Sequence, residues 1–216
     1  LPEQIHREEF FDLTESQVKG IKDLDKDPTT TTPIVYYTKQ LQIINGTLKK
    51  DTVSSSGERT LWEKYDCEKL ERAVELAKTN KKLVIVARHN AELHLLYEHI
   101  SKIKQTYIFN GDTKEEDRQQ ILDTVNNDTS DVGTCLLLQS DCGVGFNLQG
   151  VSLMVWYSHT WDFIKYTQCL GRTHRIGQKN TCVYIHMIVP GTIDEDVWKC
   201  LQRKESFDLA LYERDK

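Results

Sequence analysis

From about residue 66 onward the chain alternates short apolar runs with longer amphipathic stretches, and few folds tolerate that order. Residues 82–87 (KLVIVA) are a continuous apolar run, as expected of a strand buried on both faces. Residues 106–109, 134–139, 152–158 and 181–189 repeat the pattern. Between them lie stretches with helical spacing at 90–103, from Thr113 to about 126, and at 162–175, where Gly177 is placed as the stop. A further helix is expected from Asp66 to about Asn80, with Asp66 as its cap, and a last one from Thr192. Strands that alternate with helices of this length predict a doubly wound, mainly parallel α/β sheet. Ligands of such sheets bind beyond the carboxyl ends of the strands. The loops after the strands are therefore where chemistry is expected.

The first 60 residues have a different texture. Residues 5–13 suit a strand, and Thr14-Glu15-Ser16-Gln17 is a capping box that opens a helix. Residues 34–48 have helical spacing, and residues 49–60, rich in Ser and Thr, predict a mobile loop. We divide the chain into lead-in helices with a loop over 1–60 and an α/β lobe over 61–216. The first residue is Leu1 and not Met, and the expectation is a fragment of a longer protein.

Composition narrows the function. Of 216 residues 38% are hydrophobic and 28% charged, enough for a real core and too mixed in sign for disorder. No stretch approaches the roughly 20 apolar residues of a membrane span, and the N-terminus has no signal-peptide pattern. The net charge of −5 argues against a surface that binds nucleic acid everywhere, so any such contact is a local strip. The six cysteines form no C-x-x-C pair and no zinc spacing, which suits reduced thiols in an intracellular protein. Asp194, Glu195 and Asp196 are better read as first-turn helix acids than as a metal cluster, and no metal site is expected.

Two segments carry chemistry. In Gln168-Cys169-Leu170-Gly171-Arg172-Thr173-His174-Arg175-Ile176-Gly177-Gln178, the spacing puts Gln168, Arg172 and Arg175 on one face of a helix. Two guanidiniums and an amide in a stripe grip anionic oxygens, with Gly171 leaving room beside them. An exposed basic helix end would look the same by spacing alone. Ser140-Asp141-Cys142-Gly143-Val144-Gly145-Phe146-Asn147-Leu148 follows a buried strand, with glycines suited to a tight turn close to a ligand. A dinucleotide-binding loop is excluded, because no helix fits before the strand that begins near Ser152.

The first segment resembles motif VI of superfamily 2 helicases, in the Q-x-x-G-R-x-H-R-I-G-Q form of the Swi/Snf-type translocases. The second resembles motif V of that family, with Cys142-Gly143 where Gly-Gly or Ala-Gly is usual. Arg88-His89 stands where motif IV belongs, in place of Ser-Gln, and Gly111-Asp112-Thr113 with Arg118 resembles the element after the next strand. Thr192-Ile193-Asp194-Glu195 resembles the closing element, and details such as Trp161-Asp162 resemble compact bacterial and phage members. The resemblance implies a RecA-like second lobe. It implies Arg175 as an arginine finger, Arg172 as a second phosphate contact, and Gln168 positioning groups at the same cleft. Gly143, Gly145, Asn147, Gly171 and Gln178 would shape the nucleotide cleft. Ser140, Thr113, Arg88 and His89 would touch DNA. ATP and Mg2+ would be held mainly by a first lobe upstream of Leu1, with duplex DNA backbone as partner. No G-x-x-x-x-G-K-[ST] and no Asp-Glu-x-His element occurs, so this chain alone is expected to be inactive. The alternative is a standalone, non-enzymatic RecA-like module that binds nucleic acid or protein.

Overall fold

The structure is a computed structural model, and it describes residues 1–54, 57–142 and 145–214. In chain order its elements are β1 (Gln4–Phe10), α1 (Glu15–Leu24), α2 (Pro33–Ile44), β2 (Thr47–Ser54), β3 (Gly57–Lys64) and α3 (Glu68–Thr79). Next come β4 (Lys82–Ala87), α4 (Asn90–Ile100), β5 (Gln105–Phe109), α5 (Glu115–Asn127), β6 (Thr134–Gln139) and β7 (Leu153–Trp156). The chain closes with α6 (Phe163–Leu170), β8 (Cys182–Ile188), α7 (Ile193–Gln202) and α8 (Leu209–Arg214).

Six strands form one parallel sheet in the order β1-β8-β7-β4-β6-β5. This is the doubly wound, parallel arrangement that the alternation predicts, and it agrees with the RecA-like lobe that the resemblance implies. The period of two along each strand sorts the core into two layers. Val84, Val86, Leu136, Leu138, Met154 and Trp156 pack on one face, against α5, α6 and α7. Leu83, Ile85, Ala87, Leu137, Val155 and Met187 pack on the other, against α3 and α4. Among the described residues no helix is long and apolar enough to cross a membrane.

The chain passes from β4 to β5 on one side, returns through β6, and then crosses to β7 on the other side of β4. The connections after β4 and β7 thus diverge, and a crevice opens between the carboxyl ends of these two strands.

Several expectations are corrected. Residues 49–60 are not a loop, because β2 and β3 form an antiparallel hairpin in register from Thr47↔Lys64 to Ser54↔Gly57. Threonine and valine favour a pleated strand, and Leu48, 3% exposed, anchors the base under α1 and α2. Ser55 and Ser56 lie outside the described residues. The division at 60/61 passes through β3, and β1 pairs with β8 inside the sheet of the lobe. The cap of α3 is Cys67, still extended and without a side-chain capping bond, and not Asp66. At α5 the cap is Lys114, because the Thr113 hydroxyl turns back into its own turn, accepting from Asn110 N at 2.9 Å. The capping box at Thr14 forms as expected.

The largest correction concerns the helix expected over 162–175. Helix α6 ends at Leu170 with Gly171 as its cap, and Gly177 (φ +103°) lies beyond it, in the turn that follows. Arg172 and Arg175 therefore stand on that turn and not on the helix that carries Gln168. Tertiary bonds bend the chain there: Leu148 N donates to Arg172 O at 2.8 Å, and Thr173 Oγ1 lies 3.0 Å from the Tyr184 hydroxyl.

Candidate functional site

Two clusters stand among these loops and turns, and they are built differently. The first joins the arginine turn to the loop after β6. Arg172 Nη1 donates to Phe146 O at 3.2 Å, and Arg175 Nη1 donates to Asn147 Oδ1 at 2.5 Å. Behind the loop, Asn126 at the end of α5 donates to Asn147 O and accepts from Gly150 N, both at 2.9 Å. Gly150 permits that contact, since a Cβ there would lie 2.2 Å from Asn126 O. Gly145 has φ +89°, which glycine adopts at no cost. Gly143 lies outside the described residues.

In this cluster Arg175 is exposed and Arg172 half-buried. Burial and the neighbouring Arg175 charge both push the Arg172 pKa down. Two cations held side by side favour an anion between or before them. Gly171 is exposed, and a Cβ there would make only ordinary contacts, the nearest at 3.5 Å. Gln168 is exposed on α6. Gln178 is buried and fully engaged: its amide donates to Val151 O and Thr173 O, and its oxygen accepts from Lys179 N and Asn180 N. It braces the turn from inside. Ser140 is 1% exposed at the end of β6, and its hydroxyl has no hydrogen-bond partner.

The second cluster fills the crevice between β4 and β7. Arg88 lies over the Trp161 ring at 3.9 Å, and Arg88 Nη1 and Trp161 Nε1 are buried without hydrogen-bond partners. Burial lowers the pKa of both Arg88 and His89, against the pull of Glu92. Beneath them lies a network of buried charges. Glu92, 0% exposed, accepts from Arg88 N at 3.1 Å, His89 N at 3.2 Å and Ser158 Oγ at 2.5 Å, and its other oxygen accepts from Asn45 Nδ2 at 3.1 Å. Lys69 Nζ donates to Asp194 Oδ2 at 2.6 Å, Asn45 Oδ1 at 3.1 Å and Tyr157 O at 3.3 Å. Thr113 lies apart from both clusters, in the turn after β5.

The sequence reading missed this network. Lys69, Asn45, Glu92 and Asp194 come from four separate segments, and no local pattern joins them. The acids of α7 do open their helix, and Thr192 caps it, but Asp194 is also the partner of a buried lysine. Among the described residues no group of three or more His, Cys, Asp or Glu is placed to hold a metal ion. Of the four tryptophans, Trp156 and Trp198 are buried, while Trp62 is 42% exposed on the hairpin.

Comparison with known proteins gives these clusters a family. The helicase conserved C-terminal domain matches residues 66–177. The chain is 32% identical over 141 residues to Protein CHROMATIN REMODELING 19 of Arabidopsis thaliana, covering 64% of this chain and 18% of that protein. It is 29% identical to DNA repair and recombination protein RAD54B of Gallus gallus, covering 68% and 16%. It is 28% identical to Helicase SWR1 of Cryptococcus neoformans, covering 68% and 12%. The chain thus spans less than a fifth of each of these relatives, and none of the three supports the likeness to bacterial or phage members. Among solved structures, the Sulfolobus solfataricus SWI2/SNF2 ATPase core in complex with dsDNA matches with a TM-score of 0.68 at 19% identity, over 94% of this chain and 44% of that one. The C-terminal part of the Fun30 ATPase domain matches with a TM-score of 0.57 at 22% identity, over 67% and 48%. At these identities the two structures speak for the fold alone. With the family match spanning half its length, the chain belongs to the helicase conserved C-terminal domain family, among relatives of the Snf2 type.

Proposed function

We propose that this chain is the second motor lobe of an ATP-dependent DNA translocase. In this reading Arg175 and Arg172 face the phosphates of ATP held by a first lobe, and the loops beyond β4, β5 and β6 form part of a track for duplex DNA backbone. The observation that carries it is the interlocked arginine turn. Arg175 is exposed, its described bond goes to a neutral amide, and the same loop anchors Arg172. A guanidinium set beside a second one and aimed outward suits the charge that develops on a transferred phosphoryl group.

The residues fit a nucleotide supplied from outside. They offer cations and backbone but no acid cluster for Mg2+ among the described residues, so the reading assigns that ion to the partner lobe. Bound there, ATP with Mg2+ would supply the phosphoanhydride that is cleaved. This chain's part is to neutralise charge with Arg175, to hold Arg172 in register through Phe146 O, and to tie both to the loop after β6. That loop would report the state of the cleft to Ser140, Thr113, Arg88 and His89 on the DNA side.

The test is Arg175→Ala in the intact protein, with ATP turnover and duplex binding measured together. Loss of turnover with binding kept is the expected result. Turnover kept in the variant removes the finger assignment, and an intact protein with no DNA-dependent turnover at all leaves the non-enzymatic binding module as the account.

A further inference from the structure

The N-terminal segment meets the arginine turn directly at Pro2, just ahead of β1, and a second time from His6 of β1 by way of Tyr184 on β8. His174 Nε2 donates to Pro2 O at 2.8 Å. The His6 ring stacks on Tyr184 with centroids 4.8 Å apart, and the Tyr184 hydroxyl donates to Leu170 O at 3.1 Å and lies 3.0 Å from Thr173 Oγ1. From His6 a row of imidazoles then crosses the sheet. His6 Nδ1 is 3.0 Å from His186 Nε2, and His186 Nδ1 is 3.2 Å from His159 Nε2. His159 stands after β7 in the crevice beside Arg88 and His89. It is 3% exposed, and its Nδ1 has no hydrogen-bond partner. Trp198 stacks on His186 at 4.0 Å and Trp156 on His159 at 5.7 Å, which keeps the row in place.

A neutral imidazole has one N–H and one bare nitrogen. Three of them in a row with two bonds therefore have only two consistent arrangements. In one, His6 Nδ1 donates to His186, His186 Nδ1 donates to His159, and His159 carries its proton on Nδ1, facing the crevice. In the other every proton sits at the opposite end: His159 Nε2 donates to His186, His186 Nε2 donates to His6, and His159 Nδ1 is a bare acceptor. We propose that the His6–His186–His159 row is a two-state hydrogen-bond link that couples the crevice between β4 and β7 to the arginine turn, with β1 as the brace between them. An acceptor arriving at His159 Nδ1, such as an anionic oxygen, selects the first arrangement. A proton added to His6 selects it too, because a doubly protonated His6 can only donate to His186.

The surroundings keep the row neutral. Burial lowers the pKa of all three, to about 3 for His159 and about 2 for His186. The Lys69 charge on α3 further opposes protonation of His159, and its own partner is Asp194 on α7. Tyr166 on α6 and Tyr184 on β8 face the row as neutral rings. Glu8 on β1 is held by Trp198 Nε1 and Gln202. The purpose of the link rests on the motor reading above, but its existence does not.

The experiment is amide exchange and histidine nitrogen spectroscopy on this chain, without nucleotide. His6→Phe keeps the ring against Tyr184 and removes the nitrogens, and His159→Phe does the same at the other end. The expected result is that each single variant speeds exchange over residues 172–178 by roughly threefold or more. The double variant then adds little to either, while β5, remote from the row, is unchanged. In the unsubstituted chain, protonating His6 should leave His186 with its proton on Nδ1 throughout. Independent, additive effects, or a His186 that keeps its proton on Nε2 beside a protonated His6, overturn the proposal. The spectroscopic arm decides even if a variant folds poorly. A protein that shows the link but no DNA-dependent turnover would retire the motor reading and keep the link.

Discussion

The arginine turn and the crevice between β4 and β7 both gather charge at loops of one sheet, yet they handle it in opposite ways. At the turn, Arg175 projects outward and bonds a neutral amide, while Arg172 is anchored by a carbonyl. In the crevice, Lys69 and Asp194 are about as buried as side chains can be, 1% and 2% exposed, and every partner is internal. A charge held outward by neutral groups is available to a ligand. A charge closed within side chains is available only to the fold. Motif spacing does not distinguish the two, because the partners of both come from distant segments.

Substitutions should separate the regions sharply. The largest stability effect is expected from Lys69→Met, which leaves Asp194 buried with an unpaired charge. A loss of about 3–5 kcal/mol is expected, read from the urea midpoint. Arg175→Ala should change stability by less than about 0.5 kcal/mol in the same measurement, although it is expected to abolish turnover of the intact protein. Equal losses for the two would break the comparison.

Glycines give the next contrast. Gly150→Ala drives a Cβ into Asn126 O and should lose about 1–3 kcal/mol, while Gly171→Ala has only ordinary contacts to make and should fold as well as the parent. A Gly171→Ala chain that is stable but inactive in the intact protein would sharpen the claim that this space is kept for a ligand.

The pH response comes third. His159 and His186 are neutral in the fold, with pKa values of about 3 and about 2, below the ordinary value of 6.5. The unfolded chain therefore binds more protons than the folded one between those limits. Stability from these two residues is complete above about pH 6.5 and is lost as pH falls toward 3, by about 1 kcal/mol per pH unit for each. His159→Phe should flatten that slope in denaturation series at several pH values, and Arg175→Ala should leave it alone. The smallest effect is expected at the surface pair Lys165–Asp141, 3.2 Å apart and half-exposed. Lys165→Ala should shift the midpoint by about 0–1 kcal/mol.

The sequence by itself determined the sheet. Runs such as Leu83–Ala87 are apolar at every position because both faces of a central strand are covered, and no other fold class explains five such runs between amphipathic helices. It also determined the residue types of the arginine turn, since a family motif preserves order and spacing. Tertiary structure decided where those residues stand. Helix α6 stops at Leu170 because Arg172 O is taken by Leu148 N and Thr173 by Tyr184, bonds between segments that spacing cannot register. Thr47 to Lys64 became a hairpin because Leu48 found a hydrophobic seat under two helices, whereas its serines and threonines read locally as loop. The Lys69 network and the histidine row were illegible for the same reason. Hydrogen bonds and ion pairs depend on distances of about 3 Å, and residues 6, 159 and 186 come within that distance only after the sheet has placed β1 beside β8 and β8 beside β7.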